Sequence, residues 1–280
     1  MNKRVINEVE FNEYETDSDK VIVFVHGASE GALRYSTLVN ALNDKYNVIT
    51  YNHPGHETGK DVDFDYNQIL DTTKEVLMYA QGKYDDVTIF AHSMGSIVVR
   101  NLLVYIKHET KLILSGAPVL SYADRVSAYG GLAALTVLSK DKVSDKMNYL
   151  TFDKKAADIG LTDKAWLSSQ SEVVELFKSS KLNNQKFTNR ALNALLEMTI
   201  NANSKEVYKK LRKYDLLLVS GMTDTFTNNG LNYRYITKWA PKAQVIVYPN
   251  SYHEVHNDID KMVLIKDICN IVEKDINGKN

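Results

Sequence analysis

The feature that most restricts how this chain can fold is Ala91-His92-Ser93-Met94-Gly95. It joins the apolar run Asp86–Phe90 to the helical-looking Ser96–Tyr105 with no turn residues between them. A strand that runs straight into a helix leaves the corner residue in strained backbone geometry with its side chain exposed. The positions two before and two after must be small for strand and helix to approach. Ala91 and Gly95 meet that demand, and a serine stands at the corner.

The surrounding pattern supplies an architecture for that corner. Short, continuous apolar runs at Val21–Val25, Asn47–Tyr51, Val87–Ala91, Lys111–Ser115, Leu216–Ser220 and Val245–Tyr248 are expected to be strands. Helical patterns over Leu33–Leu42, Tyr66–Tyr79 and Met94–Tyr105 lie between the earlier ones. Such alternation predicts the α/β class: a mostly parallel sheet with helices on both faces. Val5–Glu13 alternates weakly and is expected to be an antiparallel edge strand. Between Pro118 and Ser204 no strand pattern is found; Tyr122–Ser139, Lys164–Phe177 and Asn189–Asn203 read as helices. The expected organisation is a core of residues 1–117 and 205–280, with a helical lid, residues 118–204, inserted after a sheet strand.

Composition excludes several classes. The 280 residues are 44% hydrophobic and 25% charged, with a net charge of −1, so nothing favours nucleic acid or an anionic membrane surface. No secretory h-region follows Met1-Asn2-Lys3-Arg4. The longest apolar stretch, around Gly130–Leu138, is far short of the ~20 residues that span a bilayer, so no stable membrane anchor is expected. Cys269 is the single cysteine; it reads as a small core residue on the last helix and suits a reducing, cytoplasmic location. The sequence is silent on oligomeric state.

A serine hydroxyl is a poor nucleophile at neutral pH and needs a histidine base, itself oriented by a carboxylate. Asp224 follows the strand Leu216–Ser220, and His253 follows Val245–Tyr248 through Pro249-Asn250-Ser251-Tyr252. A serine, acid, histidine order, each beyond the carboxyl end of a strand, is the order such chemistry uses on an α/β scaffold. Ser93, Asp224 and His253 are therefore the candidate catalytic residues. Two backbone N–H groups are needed for the oxyanion. Met94 is one candidate; Ala28, after His26-Gly27 at the end of Val21–Val25, is the other.

Together, His26-Gly27-Ala28-Ser29-Glu30 with Arg34-Tyr35, His53-Pro54-Gly55-His56, Ala91-His92-Ser93-Met94-Gly95, Gly221 with Asp224, and Tyr252-His253-Glu254-Val255-His256 are similar to the monoacylglycerol lipase and lysophospholipase branch of the α/β-hydrolases, the serine aminopeptidase S33 type. The resemblance covers roughly Val21–Ala117 and Leu216–Val272. It implies the α/β-hydrolase fold, a Ser93–Asp224–His253 triad, an Ala28/Met94 oxyanion hole and a small-molecule acyl ester as substrate. Ala91 replaces the family's glycine, Asn52 stands where an aspartate is common, and the lid is too divergent to carry substrate contacts across.

Other residues admit functional readings. His53-x-x-His56 and His253-x-x-His256 are one residue short of the spacing that places two imidazoles on one helical face, so no metal is expected, and no cofactor. His92 adjoins Ser93 on a strand and points to the other face, so it is not the base. Glu30 and Arg34, four apart, are expected to pair and brace the oxyanion loop. Glu254 and Asp258 fit a helix N-terminus. The apolar run Tyr129–Leu138 is expected to form a helix with a Gly130-Gly131 hinge, with Leu132, Leu135 and Leu138 lining an acyl-chain pocket. A thioesterase or peptidase could use the same groups, and a hydrolase-fold binding protein is the reading from a different class. Dehalogenases and epoxide hydrolases carry aspartate where this chain has Ser93.

Overall fold

The computed structural model describes residues 1–274; the last residues of the expected core segment 205–280 lie outside it. The strands are β1 (Asn2–Ile6), β2 (Val9–Tyr14), β3 (Lys20–Val25), β4 (Asn47–Tyr51), β5 (Asp86–His92), β6 (Lys111–Ser115), β7 (Asp215–Gly221) and β8 (Gln244–Tyr248). They form one sheet in the order β1-β2-β4-β3-β5-β6-β7-β8. The β1–β2 and β2–β4 pairs are antiparallel, and from β4 to β8 every neighbour is parallel.

The helices are α1 (Ser36–Leu42), α2 (Tyr66–Lys83), α3 (Met94–Asn101), α4 (Tyr122–Thr136), α5 (Asp145–Asn148), α6 (Lys154–Ala157), α7 (Ser171–Ser179), α8 (Asn189–Ala202), α9 (Lys205–Leu211), α10 (Arg234–Thr237) and α11 (Lys261–Val272). The central strands are apolar at almost every position because both sheet faces are covered. In β3, Val21, Val23 and Val25 pack with residues of α2 and α3 on one face. Ile22 and Phe24 pack with Leu38 of α1 and with Leu264 and Ile268 of α11 on the other. A side-chain period of two on a doubly covered sheet produces this division.

Three expectations change on contact with the structure. Val5–Glu13 is not one strand but a hairpin, broken at Asn7 and Glu8, both at positive φ (45° and 68°); the two-residue turn needs left-handed backbone, and Glu8 is not a residue that announces it. The pattern Lys164–Phe177 becomes helical only at Ser171, because the stretch before it spends its backbone groups on another loop. Helix α8, read as part of the lid, contributes Ala191, Leu192, Leu195 and Met198 to the main core beside α3. Among the described residues no helix is long and apolar enough to cross a membrane.

Candidate active site

Strand β5 enters α3 through Ser93, whose backbone stands at φ 48°, ψ −116°. Such a conformation costs a non-glycine residue about 1–3 kcal/mol and survives only where its surroundings impose it. Here they do. The Ser93 N–H donates to Ser115 O at 2.9 Å, and the Ser93 carbonyl accepts from Ser96 N at 3.0 Å and Ser96 Oγ at 2.6 Å. The need for glycine two residues on is explicit: a Cβ at Gly95 would collide with the carbonyl oxygens of Val25 and His26. Ala91 is wholly buried in the sheet, which accepts the methyl group.

His253, on the loop after β8, places Nε2 2.9 Å from Ser93 Oγ. Its Nδ1 lies 3.1 Å from Asp224 Oδ1, beyond the end of β7. The Nδ1 contact is bent, with the N–H off the direct line, so it works as a close charge contact more than a straight hydrogen bond. Asp224 Oδ1 also accepts the Phe226 N–H at 2.9 Å, which pins the carboxylate. Both side chains are buried. Burial alone would depress the His253 pKa, but the Asp224 carboxylate, with Glu254 and Glu30 further off, outweighs it and holds the imidazole above its ordinary value. The ring has room only because Gly116, at φ 55° past the end of β6, carries no Cβ: one built there would lie 2.9 Å from His253 Cε1.

Aromatic rings wall the imidazole. Phe226, His92 and Trp166 have ring centroids 4.6, 4.7 and 5.4 Å from it. The backbone is held as well: His253 N–H donates to Trp166 O at 3.3 Å, and Glu254 N–H to Leu167 O at 2.8 Å. Sequence reading missed Trp166, Phe226 and Gly116. The only local signal was Phe226, two residues beyond Asp224; the other two meet His253 through long-range contacts. His92 is buried with its pKa pushed well below the usual value, first by desolvation and then by His256 and His253, and it makes no hydrogen bond to Ser93 Oγ.

Ser93, His253, Ala28 and Met94 line one cavity of about 1350 Å³. Its walls include the apolar Ile97, Leu120, Phe152, Phe177 and Leu195 and also charged groups such as Asp124, Asp145, Lys155 and Lys186. Of the three leucines expected in an acyl pocket only Leu138 lines it. Leu135 is buried in the main core, and Leu132 is half-buried away from the cavity wall. The helix is turned so that Gly130, Gly131 and Ala134 face the space instead. Gly130 and Gly131 sit within the continuous α4, not at a hinge.

The loop that carries the oxyanion candidate Ala28 is braced, and by more than the expected pair. Glu30 Oε1 accepts the Gly27 N–H at 2.6 Å and the Tyr35 O–H at 2.8 Å, while Arg34 Nε lies 3.9 Å from Glu30 Oε2. Burial, then the Glu254 charge, pushes the Glu30 pKa up to about 7. Glu254 stands at the N-terminus of the 3₁₀ turn Val255–Asn257, as expected, but its side chain makes no capping bond there, and Asp258 lies two residues before the N-cap of α11. Glu254 is buried and pairs with Arg34. Asp258 accepts from Ser169 N–H at 2.9 Å and Tyr252 N–H at 2.8 Å. Donors from distant segments outbid the nearby helix ends.

Glu30, Glu254 and His256 bring potential metal-ligand atoms within 4.8 Å of one another. The Arg34 guanidinium bonds Glu254 and lies 3.9 Å from Glu30 Oε2 without a hydrogen bond to it, and it supplies the positive charge that a metal would. His26, His53 and His56 form a separate ring cluster, with His26 and His53 centroids 4.3 Å apart. His26 Nε2 accepts the His53 N–H at 2.8 Å and Nδ1 faces Gly27 O at 2.8 Å. That pattern assigns the proton to Nδ1 and holds the backbone behind the oxyanion loop.

No curated protein matches the sequence. Among solved structures, a highly thermostable carboxyl esterase from Bacillus coagulans superposes with a TM-score of 0.79 at 20% identity, covering 94% of each chain. A monoglyceride lipase from Saccharomyces cerevisiae, in a soluble variant, gives 0.71 at 14% identity over 97% of this chain and 94% of that one. A Paleococcus ferrophilus monoacylglycerol lipase gives 0.69 at 16% identity over 97% and 99%. At these identities the likeness establishes the fold. Residues 16–260 match the family described as serine aminopeptidase, S33 (Hydrolase_4). The chain belongs to that family and has the α/β-hydrolase fold.

Proposed function

We propose that this protein hydrolyses single-chain carboxylic esters, of the monoacylglycerol or lysophospholipid kind, through an acyl-enzyme on Ser93. The observation that carries the reading is the 2.9 Å contact between Ser93 Oγ and His253 Nε2, opening onto a cavity of about 1350 Å³. That exceeds the roughly 300–1,000 Å³ of ordinary ligand pockets, and its apolar lining residues suit an alkyl chain. Within residues 118–204, the part before α8 acts as the lid over a core of 1–117 and 205–280, which α8 joins.

In the proposed cycle Ser93 Oγ attacks the ester carbonyl and gives its proton to His253 Nε2. Asp224 stabilises the imidazolium, and the Ala28 and Met94 N–H groups receive the oxyanion. Collapse of the tetrahedral intermediate expels the alcohol, protonated by His253. The imidazole then takes a proton from water, which attacks the acyl-enzyme and releases the carboxylate and free Ser93. The family's printed description names an aminopeptidase, and a peptidase or thioesterase would use the same groups; the ester reading rests on the cavity. The lone Cys269 fits a reducing, cytoplasmic setting.

The test is a panel of monoacylglycerols, lysophospholipids, acyl thioesters, aminoacyl amides and p-nitrophenyl esters of rising chain length, with Ser93→Ala as the blank. Ester turnover that peaks at a long chain and vanishes in the blank is the expected result. Preferential turnover of aminoacyl amides or of thioesters replaces the ester reading, and no turnover on any acyl donor leaves a binding protein. The rate should also report His253. Since the base must be neutral and its pKa is raised, kcat/KM should climb with pH through a midpoint above the ordinary ~6.5. Asp224→Asn removes the charge that raises it, so the limb should move to lower pH while kcat drops by about 10⁴.

A further inference from the structure

The catalytic machinery comes from two loops that belong to opposite ends of the chain, and one side chain touches the supports of both. Arg34 lies in the 3₁₀ turn Ala32–Tyr35, with its side chain only 10% exposed. One guanidinium nitrogen bonds the Glu254 carboxylate, 220 positions away in sequence. Its Nε lies 3.9 Å from Glu30 Oε2, and the ring of Phe177 covers the group at 5.3 Å.

Each carboxylate in turn grips a catalytic loop. Glu30 accepts the N–H of Gly27, one residue before the oxyanion candidate Ala28. Glu254 is the residue after His253, and it also accepts Asn257 Nδ2 at 3.0 Å. Tyr35, which donates to Glu30, stacks on His256 at 4.8 Å and 9°. His256 packs on His92 at 4.7 Å, and His92 on His253 at 4.7 Å.

Building on the triad reading above, we propose that Arg34 is a positioning residue: it divides one positive charge between Glu30 and Glu254 and so locks the oxyanion loop in register with the histidine loop. The physical need is direct. Two carboxylates buried side by side repel and cannot both stay ionised without a cation between them. A planar guanidinium can serve both, which an ammonium does poorly. Register matters because the oxyanion donors must lie about 2.7–3.1 Å from an oxygen that forms only in the transition state. A support that relaxes costs kcat, while ground-state binding along the apolar residues of the cavity wall is untouched.

The charged and titratable groups around His253 are Asp224 from the β7 loop, Glu254 on its own loop, Glu30 from the oxyanion loop, and the neutral His92 and His256. Arg34 acts on His253 through the two glutamates. This gives a signature that a merely structural residue would not show.

The experiment measures kcat, KM and the acid limb of kcat/KM on a short p-nitrophenyl ester for Arg34→Met, Arg34→Lys and Glu254→Gln. Thermal unfolding and labelling of Ser93 by a fluorophosphonate accompany each variant. Arg34→Met should lose about 10- to 100-fold in kcat with KM within about twofold. Its limb should stay near the wild-type position, because the proton that one of the two glutamates takes up replaces the lost positive charge. Glu254→Gln should move the limb down. Arg34→Lys, which keeps the charge without the fork, should leave the limb in place while kcat falls part of the way. Should Arg34→Met not fold, the opposed behaviour of Arg34→Lys and Glu254→Gln decides. A limb that stays put in Glu254→Gln, or an Arg34→Met loss of kcat matched by KM or by melting temperature, overturns the proposal. A wild-type protein that the fluorophosphonate fails to label overturns the triad reading itself, and this inference with it.

Discussion

Two stretches of the segment between β6 and β7 face the same cavity and are held in opposite ways. Trp166–Gln170 is tied to the loop that carries His253: beyond the two backbone bonds at His253 and Glu254, Ser169 N–H and Oγ both donate to Asp258, and Ser168 Oγ donates to Asn257 O at 3.4 Å. Helix α4 has few such ties; Tyr122 is 82% exposed, and so is Val137, just past the helix end at the open edge of the cavity. The first stretch is built as a fixed wall of the active site. The second is a lining whose side chains can change without disturbing the chemistry. What is called a lid from sequence is thus part framework and part adjustable surface.

Trp166→Ala is the substitution with which to attack that contrast hardest. It removes a buried ring from the side of His253, so about 3–5 kcal/mol of stability should go with it. Urea unfolding will register the loss, and kcat should fall as the imidazole gains water and freedom. If stability drops while kcat is preserved, the pinned stretch is framework only. Ala134→Phe addresses the lining. The side chain faces the cavity, so long-chain esters should lose about tenfold or more in kcat/KM while a butyrate ester keeps its rate. An unchanged chain-length profile would mean that acyl chains take another path. Val137→Ser, on the exposed end, should move stability by no more than about 0.5 kcal/mol, and a larger shift in thermal melting would show that this end is braced after all. Leu135→Asp, attractive on the sequence pattern, would report on folding rather than substrate, since Leu135 is only 2% exposed in the main core.

Much of the site was legible in sequence because its requirements are local. The Ser93 corner demands small neighbours within two residues, and the structure places Gly95 against the carbonyls of Val25 and His26 for that reason. Asp224 and His253 were legible because loops at the carboxyl ends of parallel strands converge on one edge of the sheet, so chain order and strand position suffice to bring them near Ser93. The β-hairpin at Asn7 and Glu8 was not legible, since its turn lacks glycine. Nor was the non-helical course of Lys164–Gln170, whose apolar spacing looks helical while the backbone groups of Trp166, Leu167 and Ser169 bond to residues about ninety positions later.

By itself, then, the sequence determined the α/β architecture, the strained serine and the order of the catalytic candidates, because apolar periodicity and steric demand act over a few neighbouring residues. Only the tertiary structure decided that Arg34 stands between Glu30 and Glu254, that Trp166 covers His253, and that α4 turns Ala134 rather than Leu135 toward the cavity. Those outcomes depend on which distant segments compete for each buried donor, carboxylate and apolar face. That competition is settled by the packing of the whole molecule, and no window of sequence contains it.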